Sequence, residues 1–426
     1  MTNLSDYRSQ KLFDIPEAMK AMTLSGVGFE KLSLSEVPVP VPGPRQLLCR
    51  VDAAGVCTSL LKIISQGPKH SLINGWDIEK YPIILGDEGS LTVVKVGGDL
   101  KNSFRPGQRF GVQPAVDVPP INHRDRYSDN ARNMKKCAVG YTLGGNLAEY
   151  LLITEEVLDG QCLIPLPDPA MPYFAVSMAE PISCVISAQQ RNCHLVKSEP
   201  LSPRQPRLGL LQGGTAVVIG AGTMGAMHAE LAMRFLPQNL IVADIVPGRL
   251  QKTRKNLDQK AQRLGIKLYT VPSEQLEQTV KKITGGSGAD DVIIAVGIRS
   301  VQQEALKLLA RAGVANLFGG LAQGQHILEV NVIDVHYNEI KIVGSSGGDP
   351  CDLKDALDAI AKKDIDAGNY VTAVGSLRHT SEVLGLIKEN KILGRVILYP
   401  HIELEQLQFV EHWDIDKEAE LFRQIM

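Results

Sequence analysis

The sequence predicts an α/β chain in two parts, a β-rich unit followed by a doubly wound parallel sheet. Three observations carry this. At about 150 residues per domain, the 426 residues make two or three domains. Up to about residue 160, short β-like runs are punctuated by Gly and Pro. From 215 to 320, strand-like and helix-like segments alternate, the βαβ rhythm of a parallel sheet covered on both faces.

In chain order, LLCRVDAAGVC (47–57), IILGDEGSLTVVKVGG (83–98) and AEYLLI (148–153) have strand character, and FRPGQRFGVQP (104–114) reads as turn then strand. Between them, the polar, charged stretch from Val116 to Lys136 reads as a long surface lobe. PYFAVSMAEPISCVISAQQR (172–191) places apolar residues at helical spacing. KSEPLSPRQPRLGLLQGG (197–214), rich in Pro, Ser and Gly, reads as a mobile connection. Then come TAVVIG (215–220) before a helical TMGAMHAELAMRF, LIVADI (240–245) before RLQKTRKNLDQKAQRLG, DDVIIAVG (290–297) before SVQQEALKLLARAG, and VANLFGG (314–320). EIKIVGS (339–345) reads as a further strand, and the tail with the helical DLKDALDAIAKK is expected to pack back on the first unit.

Composition narrows the function. Hydrophobic residues make up 44% and charged residues 22%, with a net charge of −2. No basic field exists to gather nucleic acid or an anionic membrane. Apolar runs such as Ala216–Gly222 fall far short of the roughly 18 residues that span a bilayer, and the amino terminus lacks a signal-peptide layout. A soluble, cytoplasmic protein is expected. The seven cysteines form no CxxC pair, which argues against a disulfide framework and a multi-cysteine zinc site.

Gly220-Ala-Gly222-Thr223-Met224-Gly225 ends a predicted strand and opens a predicted helix. Gly220 allows the tight turn, Gly222 admits a pyrophosphate close to the backbone, and Gly225 brings helix close to strand. The helix amino terminus offers N–H groups and partial positive charge to the phosphates. Asp244 ends the next strand, where a carboxylate would accept hydrogen bonds from both ribose hydroxyls and repel a 2′-phosphate. That favours NAD over NADP, although Arg249 is near enough in sequence to accommodate a phosphate.

Cys57 in GVCTS, Asp87-Glu88 in LGDEG and Glu180 in AEPIS stand in glycine-rich or strand-edge contexts. With GVCTS, ILGDEGSLTVVKVG, FRPGQRFGVQP, GGNLAEYLLI, AEPISCVISA, VVIGAGTMG, VADI and LFGG in this order, the chain resembles the medium-chain zinc-dependent alcohol/polyol dehydrogenases. Within them it is most similar in look to sugar-phosphate dehydrogenases of the L-sorbose-1-phosphate reductase type. That narrower likeness rests on AEP before a cysteine-containing helix and on GSSGGD (344–349).

The resemblance implies a GroES-like catalytic domain (1–195, with a return segment and tail at 346–426), a Rossmann cofactor domain (196–345), and one catalytic zinc in the cleft between them. Cys57 would be the thiolate ligand. Asp87 falls where the family usually has the histidine of a G-H-E motif; Glu88 is the adjacent carboxylate or an alternate ligand, and Glu180 the third ligand. Which of Asp87 and Glu88 touches the metal stays open. Ser59 would contact the substrate hydroxyl and pass on its proton. Only Cys137 remains of the four-cysteine lobe of many relatives, so no structural zinc is expected. With Asp87 for histidine, a Cys⁻/Asp⁻/Glu⁻ set around Zn²⁺ carries one negative charge, and a bound alcohol would lose its proton less readily.

The implied substrate is a polyol or sugar phosphate. For a phosphate dianion, Lys62, Lys69, His123, Arg124 and Arg126 are the candidate cations. None of the nine histidines is an obvious replacement metal ligand, His70 at the end of SQGPKH being the one to watch. A dimer or tetramer is expected through pairing of EIKIVGS across a two-fold axis. Two other readings stand: a zinc-free NADPH-dependent quinone or carbonyl reductase of the same superfamily, and a dinucleotide-binding protein without turnover.

Overall fold

The computed structural model describes residues 15–73, 76–116, 137–322 and 324–425. The chain divides into two compact units, one running to Ser183 and resuming at Asp349, the other spanning Cys184–Gly348.

The first unit is built on an eight-stranded sheet. Its centre is Leu47–Gly55, antiparallel to Glu88–Val96 on one side and to Arg395–Leu398 on the other. Every residue of Leu47–Gly55 is buried; Leu47 and Val51 join a core with Leu91, Val93, Val396 and Leu398, and Leu48 joins a second one with Val94. Arg395–Leu398 belongs to the return segment and runs parallel to Val371–Gly375. Closure of the sheet therefore needs residues more than 300 positions apart in sequence. The cross-strand register sets Gly55 opposite Glu88.

The second unit holds a six-stranded parallel sheet in the order Lys267–Pro272, Asn239–Asp244, Thr215–Ile219, Ala289–Ile294, Leu309–Leu317 and Lys341–Val343. Numbered along the chain this is 3-2-1-4-5-6, the doubly wound order with its switch point beside the first strand. Helices Thr223–Ala232 and Pro247–Leu264 follow the first two strands. The chain is thus a GroES-like β-rich domain with a Rossmann parallel sheet. Among the described residues, no helix is long and apolar enough to cross a membrane.

Two local expectations differ from the structure. The connection at 197–214 is not irregular throughout, because Gln205–Leu208 pairs antiparallel with Cys193–Val196. Asp291 fastens that hairpin: it accepts hydrogen bonds from Asn192 Nδ2 (2.6 Å), His194 Nε2 (2.9 Å) and the Leu211 N–H (2.7 Å). The helix expected over SVQQEALKLLARAG stops at Ala305. Leu309 onward is strand, since it must hydrogen-bond along Ala289–Ile294, and this long-range pairing overrides local helix propensity. The lobe residues His123, Arg124 and Arg126 lie outside the described residues.

Candidate functional site

The sheet of the first unit brings three of the sequence-selected groups together. Cys57 follows the strand Leu47–Gly55, and Asp87 directly precedes Glu88–Val96. The Cys57 thiol and one carboxylate oxygen each from Asp87 and Glu88 all lie within 4.8 Å of one another. Gly55 makes room for this, because a Cβ there would sit 1.9 Å from Glu88 Oε2. A glycine is required by its neighbour's carboxylate rather than by its own backbone angle.

Hydrogen bonds orient the cluster. Ser59 Oγ donates to Asp87 Oδ2 at 3.0 Å, and the Tyr141 hydroxyl donates to the same oxygen at 3.3 Å. Arg395 forms an ion pair with Glu88 Oε1, both side chains being buried. The remaining oxygens, Asp87 Oδ1 and Glu88 Oε2, are buried without a hydrogen-bond partner. Unpartnered buried carboxylate oxygens are costly unless another group meets them. A thiol with two such oxygens is a sensible zinc donor set, so these residues fit the metal that the sequence implied.

Electrostatics agree. Burial pushes the Cys57 thiol up, and the neighbouring Asp87 and Glu88 charges add to that. Burial raises Asp87 against its hydrogen bond from Ser59. It pushes Glu88 up to about 7 although Arg395 opposes the shift. Several acidic groups thus share one cation, and a divalent ion would favour the ionised form of each.

Glu180 lies in the first turn of Ala179–Gln190 and is largely buried. Its charge is felt at Cys57, Tyr141 and Arg395, and it stands outside the compact 4.8 Å set. Cys137 is buried in a short strand paired with Ala115–Val116. A second grouping, Asp349 with Cys351 and Asp352, is accounted for by the capping box that opens helix Pro350–Ala361.

The second unit carries the dinucleotide turn. Gly220 adopts φ +100°, and a Cβ on Gly225 would lie 1.7 Å from the Gly220 carbonyl oxygen, so helix and strand meet backbone to backbone. Gly222 caps helix Thr223–Ala232 with no side chain in the capping position, and a Cβ there would meet nothing within 4 Å. Thr223 and Met224 open that helix, whose first N–H groups are the ones a phosphate meets. Asp244 ends its strand with Oδ2 accepting from Ala221 N (2.7 Å) and Oδ1 from Val246 N (2.8 Å). Arg249 Nη1 stands 3.6 Å from Asp244 Oδ2. The carboxylate therefore braces the glycine turn.

Sequence reasoning missed Arg395 and Tyr141. Arg395 opens the otherwise apolar strand RVIL, and a lone arginine there is the only sequence sign that a buried charge awaits it.

Comparison with known proteins follows the same division. Residues 43–168 match the alcohol dehydrogenase GroES-like domain, and residues 220–362 match the zinc-binding dehydrogenase domain. The mannitol-1-phosphate 5-dehydrogenase of Aliivibrio fischeri is 29% identical over 385 residues, covering 88% of this chain and 86% of that protein. The L-sorbose 1-phosphate reductase of Klebsiella pneumoniae is 28% identical over 358 residues, 83% of this chain and 82% of that one. The crystal structure of 2R,3R-butanediol dehydrogenase from Bacillus subtilis shares the fold, with a TM-score of 0.68 at 22% identity over 90% of this chain and 100% of that one. One structural neighbour is described as bound to NADP and another as complexed with NADH. The chain is an oxidoreductase of the zinc-binding medium-chain alcohol/polyol dehydrogenase family.

Proposed function

We propose that the chain transfers a hydride reversibly between a nicotinamide cofactor, NAD by preference, and the secondary alcohol or ketone of a polyol or sugar phosphate, with one catalytic zinc at Cys57. The observation that carries this is the Cys57–Asp87–Glu88 cluster with two unpartnered carboxylate oxygens, in a chain that also has the full glycine turn and Asp244. The substrate class is supported by relatives that act on mannitol 1-phosphate and L-sorbose 1-phosphate.

A zinc ion there would supply a Lewis acid to the substrate oxygen, and the nicotinamide would accept or return the hydride. The chain's residues do the rest. Cys57 Sγ, Asp87 Oδ1 and Glu88 Oε2 are the donors left open, with Glu180 as a further carboxylate. Ser59 and Tyr141 occupy Asp87 Oδ2 and so turn Oδ1 inward. Arg395 offsets one carboxylate charge, which answers part of the surplus negative charge of a thiolate with several carboxylates. Ser59 contacts the substrate hydroxyl and passes its proton on. Asp244 selects NAD by rejecting a 2′-phosphate.

Zinc measured per chain in protein purified without chelator tests this, with Cys57→Ala as control. Near-stoichiometric zinc, lost in the variant together with turnover, is the expected result. Equal turnover in a zinc-free wild type and in the variant would refute it.

A further inference from the structure

Two loops meet beside the glycine turn. One follows Ala289–Ile294 and the other Leu309–Leu317, at the carboxyl ends of strands on the far side of Thr215–Ile219 from Asp244. A Cβ on Gly220 would lie 2.6 Å from Val296 Cγ1, so the first loop abuts the turn. The loops touch each other backbone to backbone. A Cβ on Gly297 would lie 2.4 Å from the Gly320 carbonyl oxygen, and one on Gly319 would lie 2.3 Å from the Val296 carbonyl oxygen. Glycine loses more freedom on ordering than any other residue, so this pair of loops needs a brace from outside.

Gln302 supplies it. The residue lies on the helix Arg299–Ala305 and is 2% exposed. Its Nε2 donates to the Val296 carbonyl at 3.2 Å and to the Gly319 carbonyl at 2.5 Å. Glutamine usually stays in water, and burying its carboxamide costs free energy unless the polar atoms are paired. Here the amide nitrogen is spent on one carbonyl from each loop, and so ties the two together. The His228 ring packs edge-on against Phe318 with centroids 4.5 Å apart, which holds the residue before Gly319 as well. The outer edge of the pair stays open: Gly297 and Gly320 are exposed, and a Cβ on Gly320 would meet nothing within 4 Å.

A dinucleotide lies across the switch point of such a sheet with its pyrophosphate on the first glycine turn. With the adenosine ribose assigned to Asp244, on one side of that turn, the two loops on the other side are left for the nicotinamide half. A surface that is ordered in advance costs less to bind to. We infer that Gln302 is a positioning residue for the nicotinamide half of the cofactor, acting through the two loop backbones that it ties together. This rests on the nicotinamide-cofactor reading of the glycine turn.

Calorimetric titration of the full chain with NADH and with ADP-ribose, which lacks the nicotinamide ring, tests this in wild type, Gln302→Met and Gly320→Ala. Neither metal nor turnover is needed. Methionine keeps the length of the side chain and loses its donors, leaving both loop carbonyls without that partner. NADH affinity should then fall about tenfold, the worth of a lost hydrogen bond, with ADP-ribose affinity within about twofold of wild type. A purely structural role would weaken both ligands alike or lower only the melting temperature, so the ratio of the two affinities is the readout. Gly320→Ala keeps the brace and adds a methyl to the open edge, where the chain itself has room for it. It should lower NADH affinity and spare ADP-ribose, and it decides the matter if Gln302→Met does not fold. An unchanged ratio in folded Gln302→Met, or in Gly320→Ala where the first variant does not fold, would overturn the positioning role. Wild type that binds neither ligand would overturn the cofactor reading itself.

Discussion

Replacing Arg395 by methionine is the sharpest test of how the cluster is held. The Glu88 side chain is fully buried and that of Arg395 is 8% exposed, so their ion pair has little solvent to fall back on. Removing one partner of a buried pair costs about 3–5 kcal/mol, because the other charge is left uncompensated. Glu88 can escape part of this by taking up a proton. Burial already pushes it up to about 7 with Arg395 present, and losing the guanidinium pushes it higher, so near neutral pH the carboxyl becomes neutral. A neutral acid is a poorer metal donor, and zinc affinity should fall along with stability. Denaturant unfolding of the metal-free protein, with zinc titration in parallel, measures both effects. Adding Glu88→Gln to Arg395→Met removes the stranded charge and should return roughly half of the lost stability or more, by the logic of a double-mutant cycle. An Arg395→Met protein within about 1 kcal/mol of wild type, the worth of an exposed pair, and with unchanged zinc affinity, would refute the reasoning.

Gly225→Ala sets a Cβ 1.7 Å from the Gly220 carbonyl oxygen; helix and strand must separate, and cofactor affinity read by fluorescence titration should drop at least about tenfold, the equivalent of one good hydrogen bond. Asp244→Ala frees the N–H groups of Ala221 and Val246 and removes the repulsion of a 2′-phosphate, so the kcat/KM ratio of NADP to NAD should rise, and an unchanged ratio would count against the NAD assignment. Glu418 accepts hydrogen bonds from the N–H groups of Tyr173 and Phe174, and burial pushes it up to about 7 from its ordinary 4.5. The folded chain then holds a proton the unfolded chain releases, so the contribution of Glu418 to stability is full below about 4.5 and is lost as pH rises through about 7. Thermal melts from pH 5 to 8 should lose that slope in Glu418→Gln, and an identical slope would exclude the residue as its source.

What the sequence by itself determined is whatever its local order encodes. The parallel sheet of the second unit is legible because each strand, turn and helix is contiguous, and the stretch from Thr215 to Asp244 holds the whole dinucleotide turn within one βαβ step. Cys57, Asp87 and Glu88 could be selected one by one from their glycine-rich surroundings. Their meeting could not, because it depends on antiparallel register: only the pairing of Leu47–Gly55 with Glu88–Val96 decides that Gly55, and not a residue with a side chain, lies under the Glu88 carboxylate. Arg395 comes from 307 positions away and Tyr141 from 54, each delivered by a chain segment whose local pattern does not say which carboxylate it will meet. The hairpin at Cys193–Leu208 makes the same point, since a composition of loop-formers became strand once main-chain partners and the Asp291 carboxylate were within reach. Tertiary structure decided these features because burial and hydrogen-bond satisfaction are properties of neighbours in space.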